Sequence, residues 1–254
     1  MSEQPPSAAV TVSQPPQDGM PPRTEKAQRL RLRFARGPEA GGIGHLDLSR
    51  TWERALREAG IAVSYSRGNR PHPRLTIAAG LPVGVTSEGE LLDIILAQRV
   101  QPAELVERVR AHLPPGLTPL EAREVGMGLP SLPSAVRWAD YEVDVPAGDA
   151  AQVTDSIASF LAADSFPWED TRGEKTRHYD LRVLVQELRL EGPCDGELRL
   201  SMRLRCDAAG VGRPEQVVKA LGLPEPVRVH RRRLVLSDIS PAREAWRRRG
   251  RFVG

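Results

Sequence analysis

The chain contains a strict alternation of charged and apolar residues in Arg29-Leu30-Arg31-Leu32-Arg33-Phe34. Successive side chains of a strand point to opposite faces, so this pattern predicts a strand with one buried face. The apolar residues that follow have the spacing of one helix face: Leu48, Trp52, Ala55, Leu56 and Ala59. We therefore predict a strand followed by a helix over about residues 46–59, which Gly60 ends.

Strand and helix patterns continue in the same manner to about residue 236. Further strands are predicted at 61–66, 74–78, 91–97, 117–125, 136–145, 181–190, 198–206 and 227–236, with a short one near Trp168. Further helices are predicted from Pro102, around 153–161 and from Pro214. The order β-α-β-β-α-β occurs twice, so we predict an α+β protein of two tandem ferredoxin-like βαββαβ units with antiparallel sheets.

Composition divides the chain into four segments. Residues 1–28 are rich in Pro, Ser and Gln and lack apolar periodicity, which predicts a disordered tail. The stretch 126–133 is rich in Gly and Pro, so we place the boundary between a first unit, 29–130, and a second unit, 131–238. Residues 239–254 form a basic C-terminal arm.

The remaining composition limits the cellular setting. The chain has 254 residues, 40% of them hydrophobic, which is enough for a substantial core. It has two cysteines, no recognisable signal peptide and no apolar run near 18 residues. We expect a cytoplasmic protein with reduced thiols and no membrane partner.

Positive charge is concentrated near the end of the chain. Residues 227–254 contain nine Arg against Asp238 and Glu244, or +7, so the rest of the chain carries 3 − 7 = −4. Arginine binds phosphate through a planar fork, which predicts nucleic-acid contacts in this region. The predicted contacts are Arg231, Arg232, Arg233, Arg247, Arg248 and Arg249. Codon bias towards arginine explains the same excess equally well.

The stretch 44–90 contains the candidate ligand-binding loops. A Gly-rich segment, 37–44, leads into the first helix at His45 and Asp47, where backbone N–H groups can bind an anion. The alternative is that Asp47 caps the helix and His45 packs locally.

The next loop, Tyr65 to Arg74, offers a second candidate. Two prolines and Gly68 shape its backbone, and its arginines can hold a phosphate or a carboxylate. Its predicted ligand-binding residues are Tyr65, Arg67, Arg70, His72 and Arg74. A structural loop with solvated arginines is an equally good interpretation.

A third loop, Leu81 to Glu90, ends in Ser87-Glu88-Gly89-Glu90. Glu88 is a candidate ligand-binding residue. The acidic side chains of this segment could pair with the arginines of the preceding loop or coordinate a cation, and we favour ion pairing.

No motif in the chain indicates independent catalysis. Cys194 and Cys206 lack further cysteines to complete a zinc or iron–sulfur site, and the histidines lack metal-binding spacing. There is no nucleophile motif of the Gly-x-Ser-x-Gly type. We therefore predict no metal and no cofactor in this chain, and we expect it to bind a ligand rather than to catalyse a reaction on its own.

Three motifs together resemble a known family. They are Gly44-His45-Leu46-Asp47, Tyr65-Ser66-x-Gly68-x-x-Pro71-x-Pro73-Arg74, and Leu81-Pro82-x-Gly84-x-x-Ser87-Glu88-Gly89-Glu90. The set is similar to the bacterial radical-SAM-linked protein family, a domain of unknown function that stands beside or is fused to radical SAM proteins. The resemblance covers about residues 29–236. It implies a separately encoded radical SAM partner, and it carries over no catalytic residue.

Two functional hypotheses follow. In the first, the protein is an accessory or substrate-binding partner of a radical SAM enzyme and presents structured RNA to it. In the second, it is itself a metal-independent RNA-processing or RNA-modifying enzyme, by analogy with other tandem ferredoxin-like proteins in which a histidine acts as general base. The second would gain support if His45 or His72 lay beside Tyr65 and several arginines in one cleft, and would lose it if both histidines pointed into separate regions of solvent.

Overall fold

The computed structural model describes residues 24–173 and 175–237. The first half of the chain forms β1 (Gln28–Arg36), α1 (His45–Glu58), β2 (Leu75–Ile77), β3 (Thr86–Leu96), α2 (Pro102–Arg110) and β4 (Leu117–Glu124). A one-turn helix, α3 (Leu132–Ala135), then leads into the second half. Single 3₁₀ turns occupy Pro38–Ala40 and Arg182–Leu184.

The second half repeats the sequence of strands and helices with additions. It forms β5 (Val136–Pro146), α4 (Ala150–Ala162), β6 (Pro167–Arg172), β7 (Lys175–Asp180), β8 (Val185–Cys194), β9 (Glu197–Asp207), β10 (Gly210–Val211), α5 (Pro214–Ala220) and β11 (Arg228–Leu236). Within the described part of the chain, strands β6 and β7 pair only with each other, as a hairpin outside the main sheet.

All other strands of the described residues lie in one nine-stranded sheet. Its order is β10-β9-β5-β11-β3-β1-β4, with β2 added on β3 and β8 on β9. Every pair is antiparallel except β3 and β11, which run parallel and pair at Thr86 with His230 and at Ser87 with Arg231. The protein is therefore α+β with a mostly antiparallel sheet. The separate sheets predicted from the sequence are joined into one, because β11 pairs with a strand of the first half.

Within each half the strands follow the same spatial order. It is β4-β1-β3-β2 in the first half and β11-β5-β9-β8 in the second. The apolar positions of the alternating strands face two buried clusters, one in each half. In the first, Trp52 of α1 meets Phe34 of β1 edge to face with ring centroids 5.0 Å apart. The apolar face of β1 is buried, as the alternation predicts. The expectation of only one buried face is wrong, because Arg29 and Arg31 on the other face are also buried and donate to Asp93.

Several predicted boundaries require correction. The stretch 61–66 is not a strand, and it makes only isolated bridges from Val63 to Leu96 and from Tyr65 to Pro73. Strand β3 begins at Thr86, so half of the third predicted loop is strand. The predicted basic arm lies outside the described residues, as does the predicted tail up to residue 23. Within the described ranges, the structure contains no helix both long and apolar enough to span a membrane.

Candidate functional site

The motif Ser87-Glu88-Gly89-Glu90 joins the two halves. Arg231 donates from Nε and Nη2 to the two carboxylate oxygens of Glu90, at 2.8 and 2.5 Å. Ser87 Oγ lies 2.6 Å from Glu90 Oε1 and 2.8 Å from the Arg231 carbonyl oxygen. Both charged side chains are only 1% exposed. The predicted nucleic-acid contact at Arg231 is therefore corrected, because its guanidinium is enclosed and bound to a carboxylate.

Gly89 allows the two halves to approach closely at this junction. A Cβ atom at this position would lie 2.3 Å from the carbonyl oxygen of Arg232, which belongs to the backbone of β11. The next residues form further ion pairs, with Arg232 2.7 Å from Glu88 and 2.6 Å from Glu142. Glu88 thus forms the ion pair expected of this segment, although its partner comes from β11 rather than from the loop 65–74.

The arginines of β11 and β9 share carboxylates on the sheet face opposite the helices. Asp140 accepts hydrogen bonds from Arg203 at 2.6 Å and from Arg233 at 2.7 Å. Burial raises the pKa of Asp140, but these arginines lower it by more, so its pKa is below the usual range. The positive charge of Arg232 and Arg233 is therefore offset locally. The predicted contacts Arg247, Arg248 and Arg249 lie outside the described residues.

The predicted site at the start of α1 is exposed. Gly44 is the N-cap residue, and its backbone begins the helix without a side-chain cap. His45 and Asp47 are both exposed, and Asp47 pairs with Arg50 at 3.2 Å one turn later. Asp47 lies in the first turn, where a carboxylate interacts favourably with the helix dipole.

The second predicted loop is a compact hairpin beside α1. Tyr65 pairs with Pro73, and Ser66 Oγ lies 2.9 Å from His72 Nδ1. Arg74 donates to the Tyr65 carbonyl oxygen at 3.1 Å, and the Tyr65 hydroxyl lies 3.5 Å from Glu53 on α1. Burial raises the pKa of Tyr65, and the Glu53 carboxylate raises it further.

A cleft with a volume of about 1800 Å³ lies between the two halves. We call it the inter-half cleft. Its first-half wall is formed by residues 35–39, 83–88, 116 and 118, and its second-half wall by residues 168–171 and by parts of 215–230. Of the predicted ligand-binding residues, only Glu88 lines it.

A buried arginine holds the first-half wall in place. Arg36 is 1% exposed and donates to the carbonyl oxygens of Val85 at 3.0 Å, of Ile43 at 3.1 Å, and of Pro82. These carbonyls belong to two separate loops, 37–44 and 81–85, so one arginine side chain holds both loops together. Gly116 completes the wall, since a Cβ there would lie 2.5 Å from the backbone nitrogen of Ala40.

The lining of the cleft carries more negative than positive charge. Its cationic side chains are Arg36, Lys219 and Arg228, and its carboxylates are Glu39, Glu88, Glu169, Asp170, Glu215 and Glu225. Glu39, Glu215 and Glu225 form no hydrogen bond or ion pair with any other described residue. Trp168 adds a partly exposed indole, with Lys219 Nζ 6.0 Å from its ring centroid. This lining disfavours phosphate and suits a neutral or cationic group.

His230 lies in the cleft at the junction. Its Nδ1 is 2.8 Å from Thr86 Oγ1, so a side chain of each half contributes to the contact. Burial lowers the pKa of His230, and neighbouring Arg228 lowers it further. Both effects favour the neutral imidazole, the form that can accept a proton.

Sequence reasoning missed His230, Thr86, Trp168 and Lys219 as cleft residues. None belongs to a recognisable motif, and His230 follows Thr86 by 144 positions. The pairing of β3 with β11 brings Thr86 and His230 together, and no local pattern encodes that pairing. Conversely, the predicted residues His45 and His72 do not line the cleft. Among the described residues, no three His, Cys, Asp or Glu side chains are grouped as a metal site would require.

Comparison with known proteins identifies a family but no characterised relative. Residues 29–214 match the model of a family described as an uncharacterized protein conserved in bacteria, DUF2344. This match covers more than half of the chain, so the protein belongs to that family. No curated protein matches the sequence.

Proposed function

For this member of an uncharacterised bacterial family, we propose the role of an accessory, substrate-binding partner of a separately encoded radical SAM enzyme, to which it presents structured RNA. The observation that carries the proposal is the inter-half cleft. Its carboxylates Glu39, Glu215 and Glu225 bond to no other described residue, so they do not hold the fold together. The proposal of a radical SAM partner rests on the three motifs of the first half.

The charge of the cleft indicates which part of an RNA would enter it. Phosphates would be repelled by its carboxylates, whereas a base carries no net charge and can stack on an aromatic ring. Trp168 is such a ring on the cleft wall. We infer that a base enters the cleft while the phosphates remain outside. The βαββαβ strand order of each half supports two ferredoxin-like units, with the cleft between them.

Affinity purification of the full-length chain from native cells tests the partnership. We expect a radical SAM protein among the recovered proteins, identified by mass spectrometry. Purifications in which no such protein is enriched over a tag-only control would contradict the accessory role.

Filling the cleft tests its role in substrate binding. Val83 and Val227 are exposed cleft residues, so Val83→Trp with Val227→Trp should block the cleft without disturbing the core. Val183→Trp with Val211→Trp is the matched control, because these valines are similarly exposed but lie outside the cleft. In a strain lacking the gene, we expect the control and not the cleft variant to restore the nucleoside composition of cellular RNA. Equal restoration by both variants would exclude the cleft.

His230 favours a second candidate function, a metal-independent RNA-processing enzyme. A neutral histidine in a cleft has the properties of a general base, which His45 and His72 do not share because neither lines the cleft. The test is cleavage of RNA by the purified chain in the presence of a chelator. We expect activity that His230→Gln abolishes if this candidate is correct, and intact RNA if the accessory role is correct.

A further inference from the structure

We propose that α1 and the adjacent hairpin form a surface that binds the phosphate backbone of RNA. We call it the α1–hairpin arginine surface, and its residues are Arg50, Arg54, Arg57, Arg67 and Arg70. The inference deepens the proposed function and rests on it for the choice of RNA. It assigns the phosphate contacts to a surface of the first half, away from the β11 arginines that the sequence indicates.

The helical part of this surface is a stripe. Arg50, Arg54 and Arg57 stand at i, i+4 and i+7 of α1, which places them on one side of the helix. All three are exposed, whereas Trp52, Ala55 and Leu56 of the same helix are buried on the opposite side. At a rise of about 1.5 Å per residue the stripe is about 10 Å long, a length over which a duplex carries about six phosphate charges.

The hairpin extends the stripe. Its base lies against α1, because the Tyr65 hydroxyl reaches Glu53 and the charge of Arg57 acts on the same phenol. Its apex carries Arg67 and Arg70, both exposed. The contacts between Ser66 and His72 close the hairpin below this apex, at 2.9 Å between Ser66 N and the His72 carbonyl oxygen. The two guanidiniums are thus presented on a structured base rather than on an open loop.

The positive charge of this surface is largely available to a ligand. Arg54, Arg57, Arg67 and Arg70 form no hydrogen bond or ion pair with another described residue. Among the described residues Arg50 pairs only with Asp47, and both are more than two-thirds exposed, so solvent screens that interaction. The carboxylates that contact the surface and its tyrosine are Asp47 and Glu53, which gives 5 − 2 = +3.

RNA fits this surface better than a membrane does. Guanidinium forks bind phosphate oxygens in pairs, and phosphate contacts fix a nucleic acid in position without reading its sequence. Membrane binding by a helix requires a wide apolar face, whereas the exposed side of α1 presents arginines and one large exposed apolar residue, Leu46.

Fluorescence anisotropy of a labelled RNA hairpin tests the proposal at several salt concentrations. We expect the full-length protein to bind with a steep salt dependence, and each phosphate contact removed should lower the log–log slope by about 0.7–0.9. The variant with Arg54, Arg57, Arg67 and Arg70 all changed to Ala should lose about three units of slope and at least about tenfold in affinity near 0.1 M salt. A DNA hairpin of the same sequence distinguishes RNA from nucleic acid in general.

A matched control distinguishes RNA binding at this surface from a general effect of the protein's net charge. It changes four exposed arginines that are already paired with carboxylates, so the net charge falls equally: Arg99, Arg110, Arg189 and Arg232. We expect this variant to bind RNA as the unmodified protein does. Equal losses in both variants would overturn the proposal in favour of diffuse attraction, and unchanged binding in the surface variant would place the RNA elsewhere.

A second variant and the binding of the unmodified protein distinguish failure of this inference from failure of the proposed function. Arg67→Glu with Arg70→Glu alters only the hairpin apex and should weaken binding more than removal of the same charges by Ala. Unmodified protein that fails to bind either hairpin overturns this inference but not the accessory role, which depends on recovery of the radical SAM partner. If the protein binds RNA but no radical SAM protein is recovered with it, the accessory role is overturned and this inference stands.

Discussion

The junction between the halves and the α1–hairpin arginine surface use the same side chain in opposite ways. At the junction Arg231 is 1% exposed and holds Glu90 through two hydrogen bonds. On the surface Arg54 and Arg67 are exposed and contact no carboxylate of the described residues. The first arrangement removes an arginine from the surface in order to join β3 to β11, and the second leaves the charge free. A cluster of arginines in a sequence therefore gives the number of positive charges, but it does not show how many of them are accessible to a ligand.

Breaking the buried pair should have the largest effect. Glu90→Gln leaves the Arg231 charge buried without a compensating carboxylate, and we expect a loss of about 3–5 kcal/mol in the free energy of unfolding. Urea denaturation measures it. Glu90→Leu with Arg231→Met removes both charges and should recover most of that loss. A single variant as stable as the unmodified protein would show that the pair does not join the halves.

The ion pairs of Asp144 join a buried carboxylate to partly exposed arginines, and their contribution to stability should depend on pH. Asp144 accepts from Arg199 and Arg228, and these hydrogen bonds lower its pKa against the opposing effect of burial. As pH falls, Asp144 takes up a proton in the unfolded chain before it does so in the folded chain. The stabilisation is therefore fully present above about pH 3.9 and is lost as pH falls through the lower pKa of the folded state. We expect Asp144→Asn to cost about 1.5–3 kcal/mol at neutral pH, and the difference to shrink in acid. A difference independent of pH would contradict the role of ionisation.

The close approach of β3 and β11 can be tested apart from charge. Gly89→Ala places a methyl group against the Arg232 backbone, and we expect it to cost about 1–3 kcal/mol in the free energy of unfolding. Gly42→Ala is the control, because a Cβ there meets no atom within 4 Å. Thermal unfolding of the two variants gives the comparison, and similar melting temperatures would mean that the junction adjusts without cost.

The smallest effects should come from arginines at the surface. Arg232→Ala removes exposed ion pairs and should cost about 0.2–1 kcal/mol, while Arg67→Ala should change the free energy of unfolding by less than about 0.5 kcal/mol. Denaturant midpoints measure both. A larger loss for Arg67→Ala than for Arg232→Ala would reverse the assignment of paired and free arginines.

The sequence alone determined the local elements and the fold class. Alternation in residues 29–34 and the helix-face spacing from Leu48 to Ala59 predicted β1 and α1, because both periods are local and need no knowledge of the partner. The stretch 61–66 also alternates yet forms no strand, since it makes one isolated bridge to β3, at Val63 and Leu96, and another within its own hairpin, at Tyr65 and Pro73, instead of a continuous ladder.

Only the tertiary structure decided how the halves meet and which charges remain free. Glu90 and Arg231 are 141 positions apart, so no local pattern could pair them or predict that Arg231 is buried. The same pairing of β3 with β11 brings His230 to Thr86 and places the cleft between the halves. Periodicity reports which face of an element is apolar, whereas the partner of a buried charge depends on strands that meet only in the folded chain.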